Sequence, residues 1–265
     1  MDFFFSGYKF FEYDEIDSTN LEAKRYALEK SAREENSEEA GDIPVFIAKH
    51  QTSGRGRLGR SFFSPEETGL YMSLLLSVEQ KLIDTDLITP AAGVAVCRTI
   101  EEFSPEKPKI KWVNDIYLNK KKVCGILTEG ILNPKEGKIS QVIIGIGVNL
   151  FEPKTGFPTE IENIAGFVFN KDFFKNPADA KYQFVEKLLE NLEITLEKSQ
   201  EKITMDEYKT RSLVIGKTVT VITPQKKYAA LVKDITEKGH LIVEYEENGK
   251  IQQTELLSGE VSLKI

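Results

Sequence analysis

Four short stretches of the chain carry residue types that could do chemistry. The first is Gly54-Arg55-Gly56-Arg57-Leu58-Gly59-Arg60. Its glycines let the backbone bend sharply and approach a ligand, and its guanidiniums offer planar forks matched to carboxylate and phosphate oxygens. Taken alone it reads as a small-anion site, a basic surface loop or a nucleic-acid contact. The second is Lys111-Trp112-Val113-Asn114-Asp115, followed by Lys122-Val123-Cys124-Gly125. On a strand, Lys122, Cys124, Ile126 and Thr128 share one face, and Gly125 lies on the other, where a missing side chain makes room. The same residues allow a plainer account: Lys120 to Lys122 as a solvated turn, Trp112 as core, and Asp115 as a turn residue. The third is Gly145-Ile146-Gly147-Val148-Asn149, where strand glycines mark close approach by packing or by a ligand. The fourth is Ser18-Thr19-Asn20 at a helix start, either a cap or a row of N–H groups facing a ligand.

Other chemistries are missing from the sequence. There is no Gly-x-x-x-x-Gly-Lys-Ser/Thr loop, no His-Glu-x-x-His and no Gly-x-Ser-x-Gly. Two histidines, His50 and His240, support neither a histidine relay nor a histidine metal site. Two cysteines are too few for a disulfide framework, which points to a reducing, cytoplasmic setting. A net charge of −7 argues against a dedicated nucleic-acid binder. No apolar run reaches membrane-spanning length, and Met1 to Phe11 lacks the basic start and cleavage site of a signal peptide.

The elements that must position these stretches follow from periodicity. Strands are predicted at Lys9–Tyr13, Val45–Lys49, Tyr71–Ser77 and Gln141–Leu150, with a hairpin of Ile116–Leu118 and Val123–Thr128 around a turn at Asn119–Lys122. A helix is expected from Leu21 to about Arg33, with Thr19 and Glu22 at capping-box spacing. The acidic stretch Glu34 to Asp42 then reads as a surface loop. A second helix is expected from Thr89, with Pro90 in its first turn, and a third from Pro177 to about Lys198, carrying Phe184, Val185, Leu188, Leu189 and Leu192 on one face. From Gly216 the pattern changes to short alternating segments with turn signals such as Asn248-Gly249, suited to a small β-barrel. A division at residue 213 follows, into 1–212 and 213–265.

The four stretches occur together and in one order, and in this they resemble the biotin–protein ligase family. The likeness rests on Ser18-Thr19-Asn20, Gln51 to Arg60, Lys111 to Asp115 with Lys122 and Gly125, and Gly145 to Asn149. Val113 stands where that family usually has proline. The resemblance implies an α+β catalytic domain, a mixed sheet flanked by helices, with a small C-terminal SH3-like β-barrel. It implies ATP-dependent activation of biotin to biotinyl-5'-AMP, then transfer to a lysine of a biotin carboxyl carrier protein or domain. By the family pattern Lys122, Arg57 and Arg55 would be catalytic. Ser18, Thr19, Asn20, Gln51, Gly54, Arg55, Arg57, Lys122 and Gly125 would bind biotin, and Arg57, Trp112, Asn114, Asp115, Lys122 and Asn149 would bind ATP. Mg²⁺ would accompany ATP, with Asp115 its carboxylate ligand, and the glycine-rich loop would order over the intermediate.

Some members of that family also carry a DNA-binding domain ahead of the catalytic one. About 15 residues precede Ile16, so the expectation is a monofunctional form without specific DNA binding. Exposed edge strands could support a homodimer. The rival expectations are a lipoate–protein ligase, disfavoured by the Gly-Arg-Gly-Arg run, and a non-catalytic biotin sensor, disfavoured by the presence of both Lys111 and Lys122.

Overall fold

Strand alternation divides the first sheet of the chain into two faces, and one face is built to leave a hole. The computed structural model describes residues 5–32, 42–78, 84–133, 135–170, 176–223, 226–257 and 259–262. A seven-stranded mixed sheet is formed by β1 (Tyr8–Ile16), β2 (Ile43–Gln51), β3 (Gly69–Ser77), β4 (Lys109–Lys111), β5 (Asp115–Leu118), β6 (Lys121–Leu132) and β7 (Ile139–Asn149), in the order β1-β2-β3-β7-β6-β5-β4. β1 and β2 are parallel, joined through α1 (Thr19–Ala32); the remaining neighbours are antiparallel.

On one face, Val45 and Ile47 of β2, Leu70, Met72 and Leu74 of β3, and Ile144, Ile146 and Val148 of β7 enter the main apolar core. Helices α2 (Ile88–Phe103) and α3 (Pro177–Glu197) cover that face with Val94, Val96, Ile100, Phe184 and Leu188. The other face carries a smaller cluster: Phe46, Leu75 and Ile143 under Ala23 and Ala27 of α1. Phe11 stacks on Phe46 at 5.0 Å, a contact worth about 1 kcal/mol beyond its buried area. Toward one end of this α1 face, the alternating positions are small or polar: Ser73 on β3, Gly145 and Gly147 on β7, Gly125 on β6. Glycine and serine there leave space instead of packing.

Several expectations need correcting. The turn of the β5–β6 hairpin is only Asn119-Lys120, with φ of 49° and 66°, so Lys121 and Lys122 belong to the strand. The β5–β6 register shifts: Tyr117 pairs with Lys122, but Ile116 pairs with Cys124. Val123 is therefore a bulge residue, and it carries Lys122 over to the face of Gly125, against the two-residue period. A Cβ on Gly125 would lie 3.3 Å from Lys122 Nζ. The capping box does not form either: Glu22 takes Tyr13 Oη and Arg25 Nε, and Thr19 turns to Gln51. The acidic residues 34–41 lie outside the described residues.

Helix α4 (Lys202–Thr210) was not expected; its buried Thr204, Met205 and Tyr208 are too few to show a period in so short a segment. After it, Ser212 runs parallel to Ile110 on edge strand β4, with Ile110 N donating to Arg211 O and Leu213 N to Ile110 O, each at 2.8 Å. Five antiparallel strands follow: β8 (Thr218–Ile222), β9 (Lys227–Ile235), β10 (Leu241–Glu247), β11 (Lys250–Leu256) and β12 (Glu260–Ser262), in the order β11-β10-β9-β8-β12. The fold is α+β as expected, and this second sheet is consistent with an SH3-like domain. Its Val221, Val232, Leu241 and Val243 belong to the same continuous core as the first sheet.

Candidate active site

The cavity at the open end of the α1 face collects residues from all four stretches. Ser18, Thr19 and Asn20 come from the start of α1, Gln51 from the end of β2, and Arg55, Arg57 and Arg60 from the glycine-rich loop. Lys111, Trp112, Asn114 and Asp115 come from the β4–β5 hairpin, Lys122 and Gly125 from β6, and Gly145 and Gly147 from β7. Val261 of the second sheet and the adjoining Gly259 also line it. Five of the lining side chains are cations and one, Asp115, is a carboxylate, within a chain whose net charge is −7. Such a concentration of positive charge suits an anionic ligand.

The floor is a hydrogen-bonded chain. Gln51 Oε1 accepts from Thr19 N (2.9 Å) and Thr19 Oγ1 (3.2 Å), and Gln51 Nε2 donates to Ser64 Oγ at 2.9 Å. Ser73, fully buried, donates to Asn20 Oδ1 at 2.7 Å and lies 2.8 Å from Thr19 Oγ1. Asn20 Nδ2 in turn donates to Glu129 Oε2 at 2.8 Å. Glycines give these side chains room: a Cβ at Gly145 would collide with the Asn20 amide, and one at Gly147 would come within 2.7 Å of the Phe62 ring.

The glycine-rich loop is itself a small hairpin, with Gly56 N donating to Arg60 O (2.7 Å) and Phe62 N to Gly54 O (2.8 Å). At its tip Leu58 has φ 56° and is 73 % exposed. The left-handed conformation costs a leucine about 1–2 kcal/mol. Arg57 reaches Asn114 Oδ1 at 3.4 Å, and Arg55 reaches Glu129 Oε1 at 3.1 Å. Lys122 Nζ lies 2.6 Å from Asp115 Oδ1, and the Lys122 backbone is pinned by Ile164 O and Gly166 N.

Two predicted site residues stand outside the lining. Gly54 packs the base of the loop, where a Cβ would strike Phe62 O and Ser64 Oγ, and the Asn149 amide donates to Gly166 O at 2.9 Å. Trp112 does both things the sequence left open. It is 4 % exposed, lines the cavity, and its indole Nε1 donates to Gly239 O at 2.8 Å, across to the second sheet. The Trp112–Val113 peptide bond is cis. Sequence reading missed Ser64, Ser73 and Glu129; a serine and a glutamate at inward positions of otherwise apolar strands were the available signal. The thiol of Cys124 is driven well up by complete burial, which removes it from nucleophilic chemistry. Burial also pushes Tyr71, whose hydroxyl donates to Pro65 O, up to about 12.

Among the described residues no cluster of three or more His, Cys, Asp or Glu could hold a metal, and no helix is long and apolar enough to cross a membrane.

The arrangement is that of a known ligase class: residues 16–149 match the model of the biotin/lipoate A/B protein ligase family, and the chain belongs to that family. Residues 214–264 match the biotin protein ligase C terminal domain. Over 139 residues the chain is 41% identical to the bifunctional ligase/repressor BirA of Bacillus subtilis, covering 52% of this chain and 42% of that protein. The chain thus spans less than half the length of that relative. It is 28% identical over 215 residues to the biotin–[acetyl-CoA-carboxylase] ligase of Mycobacterium tuberculosis, covering 77% of this chain and 74% of the relative. Among solved structures, the biotin protein ligase from Aquifex aeolicus, in complex with biotin and ATP, superposes with a TM-score of 0.72 at 28% identity, covering 97% of this chain and 98% of that one.

Proposed function

We propose that this protein activates biotin with ATP and transfers it to a lysine of a carboxylase carrier domain. The observation that carries this reading is the cavity itself, where cations outnumber carboxylates five to one above a floor of directed amide and hydroxyl groups. The similar chains named as biotin ligases support the choice of acid.

The reaction needs no protein nucleophile. A biotin carboxylate oxygen attacks the α-phosphorus of ATP, an O–P bond forms, and pyrophosphate leaves. The carrier amine then attacks the acyl carbon, loses a proton, and AMP departs. Both steps concentrate negative charge on oxygens, and positioned cations are the means of stabilising it. Arg55, Arg57 and Lys122 take that part, with Lys122 oriented by Asp115. Ser18, Thr19, Asn20 and Gln51 offer hydrogen bonds to the polar end of the biotin ring, and Gly125 leaves room beside them. Trp112, Asn114 and Asp115 form the ATP side of the cavity. Gly54 and Asn149 would support the site from behind it.

Magnesium fits as the partner of ATP, not as a protein-caged ion. It asks for oxygen ligands and is commonly held by one or two carboxylates plus substrate phosphates, and Asp115 is the carboxylate that lines the cavity. When bound it would screen the phosphate charge. We further propose 1–212 as the catalytic domain and 213–265 as the accessory one, a cytoplasmic setting consistent with two buried free thiols, and no specific DNA binding. The edge strand β1 offers a surface for a homodimer.

ATP–pyrophosphate exchange with Mg²⁺, run with biotin, lipoate, octanoate or no acid, tests the reading. Exchange that depends on biotin alone is expected. Exchange with lipoate or octanoate instead would move the chain to the other branch of its family, and tight biotin binding without exchange would make it a sensor.

A further inference from the structure

We propose that Glu129 is a positioning residue for acid activation: its carboxylate fixes the direction of the hydrogen-bond chain beneath the cavity and anchors Arg55 on the loop above it. The proposal rests on the activation reading given above. Glu129 does not itself line the cavity. It sits on β6 in the same alternating row as Gly125 and Leu127 and is reached by two groups that do line it. Asn20 Nδ2 donates to its Oε2 at 2.8 Å, and Arg55 Nη1 donates to Oε1 at 3.1 Å and to Oε2 at 3.4 Å.

An ionised carboxylate can only accept hydrogen bonds. Asn20 must therefore turn its NH2 toward Glu129 and toward Leu127 O, which it also reaches at 3.3 Å, and this leaves Oδ1 to face Ser73. Ser73 must then supply its single proton, shared between Asn20 Oδ1 and Thr19 Oγ1. At the other end a backbone N–H can only donate, so Thr19 N fixes Gln51 with Oε1 toward it. That sends Gln51 Nε2 to Ser64, which passes its own proton to Phe62 O. The chain is thus locked from both ends, one lock being a charge. Neutral glutamine at 129 could donate as well as accept. Asn20 would then be held in its orientation only by the longer bond to Leu127 O, and Arg55 would lose its charged anchor.

The test uses Glu129→Gln, Glu129→Asp, Arg55→Gln and the Glu129→Gln/Arg55→Gln double variant of the whole chain, with melting temperatures recorded for each. In exchange assays Glu129→Gln should raise KM for biotin about tenfold, the size of one charge-assisted hydrogen bond, with KM for ATP changed less than about twofold. Glu129→Asp should recover part of the loss. Relative to wild type, the double variant should be impaired by less than the product of the two single effects, because the two residues act through one contact. A loss shared equally by biotin and ATP, or effects that multiply, would overturn the proposal. A substrate-free arm separates it from the activation reading: Glu129→Gln should speed tryptic cleavage within Arg55–Arg60. Wild-type protein without biotin-dependent exchange would sink the activation reading, whereas unchanged cleavage and unchanged KM values would sink the role of Glu129.

Discussion

Two groups of charged residues on and beside the first sheet use the same residue types to opposite ends. Where α2 meets α4, Arg211 binds Glu101 through both terminal nitrogens at 2.8 and 2.9 Å and also holds Glu207 at 2.8 Å, while Arg98 closes the group on Glu207. Two arginines, with Lys107 3.6 Å from Glu101, face two glutamates, and both carboxylates find their partners within the chain. The Arg211 guanidinium holds the Glu101 carboxyl below its ordinary range. For Glu207, burial works upward, yet the bonds from Arg98 and Arg211 outweigh it and the net direction is down. Of the charged side chains that line the cavity, five are cations and one is a carboxylate, with Glu129 behind them holding Arg55. A cluster that carries its own counter-charges ties elements together; a lining rich in one sign suits a ligand of the other. The comparison separates architecture from function where composition does not.

The largest effect should come from breaking the surplus. Lys122→Gln is expected to lower biotin-dependent exchange by about 10²–10³-fold, with the urea unfolding midpoint unchanged; an equal loss of stability would make Lys122 architectural after all. Arg211→Met should do the reverse. Leaving Glu101 and Glu207 without their shared partner is expected to cost about 2 kcal/mol of unfolding free energy, while exchange per folded molecule stays at the wild-type level. Smaller again is Gly147→Ala. The added methyl would meet the Phe62 ring at 2.7 Å and should raise KM for biotin about tenfold, as overpacking by one carbon commonly costs 1–3 kcal/mol.

The smallest effect is the share of the acid-side pH dependence that this cluster carries. Glu101 and Glu207 have lowered carboxyl pKa values in the folded state. Their contribution is therefore complete above the unfolded glutamate pKa of about 4.3 and is lost as pH falls through the lower folded values. Melting temperature should drop below about pH 4.5 in the wild type and less steeply in Glu207→Gln. A steeper drop in the variant would contradict the assignment.

Much of the fold was legible because its periods are clean. β7 read as an apolar strand with two glycines, and the structure turns Ile144, Ile146 and Val148 one way and Gly145 and Gly147 the other. The four stretches were legible as local patterns, and Gln51, Arg57 and Lys122 converge on one cavity. What escaped reading was non-local. Nothing in Lys122-Val123-Cys124 announces a bulge, because the extra residue is defined by its register with β5. The Thr19–Glu22 spacing suggested a capping box, but Gln51 and Tyr13 reach those side chains first, from other strands. Glu129 and Ser73 gain meaning only when β6 and β3 are laid on either side of β7 under α1.

The bond from Trp112 to Gly239 has an optical consequence. The chain contains one tryptophan, so indole fluorescence comes from a single address, at the wall of the cavity and the seam with the second sheet. An emission spectrum is then a site-specific record without any label. Its colour follows the wetness and polarity around one ring, and its quenching follows whatever arrives beside that ring. Ligand occupancy and the integrity of the seam can be watched in real time, in the unmodified protein, through a chromophore already in place.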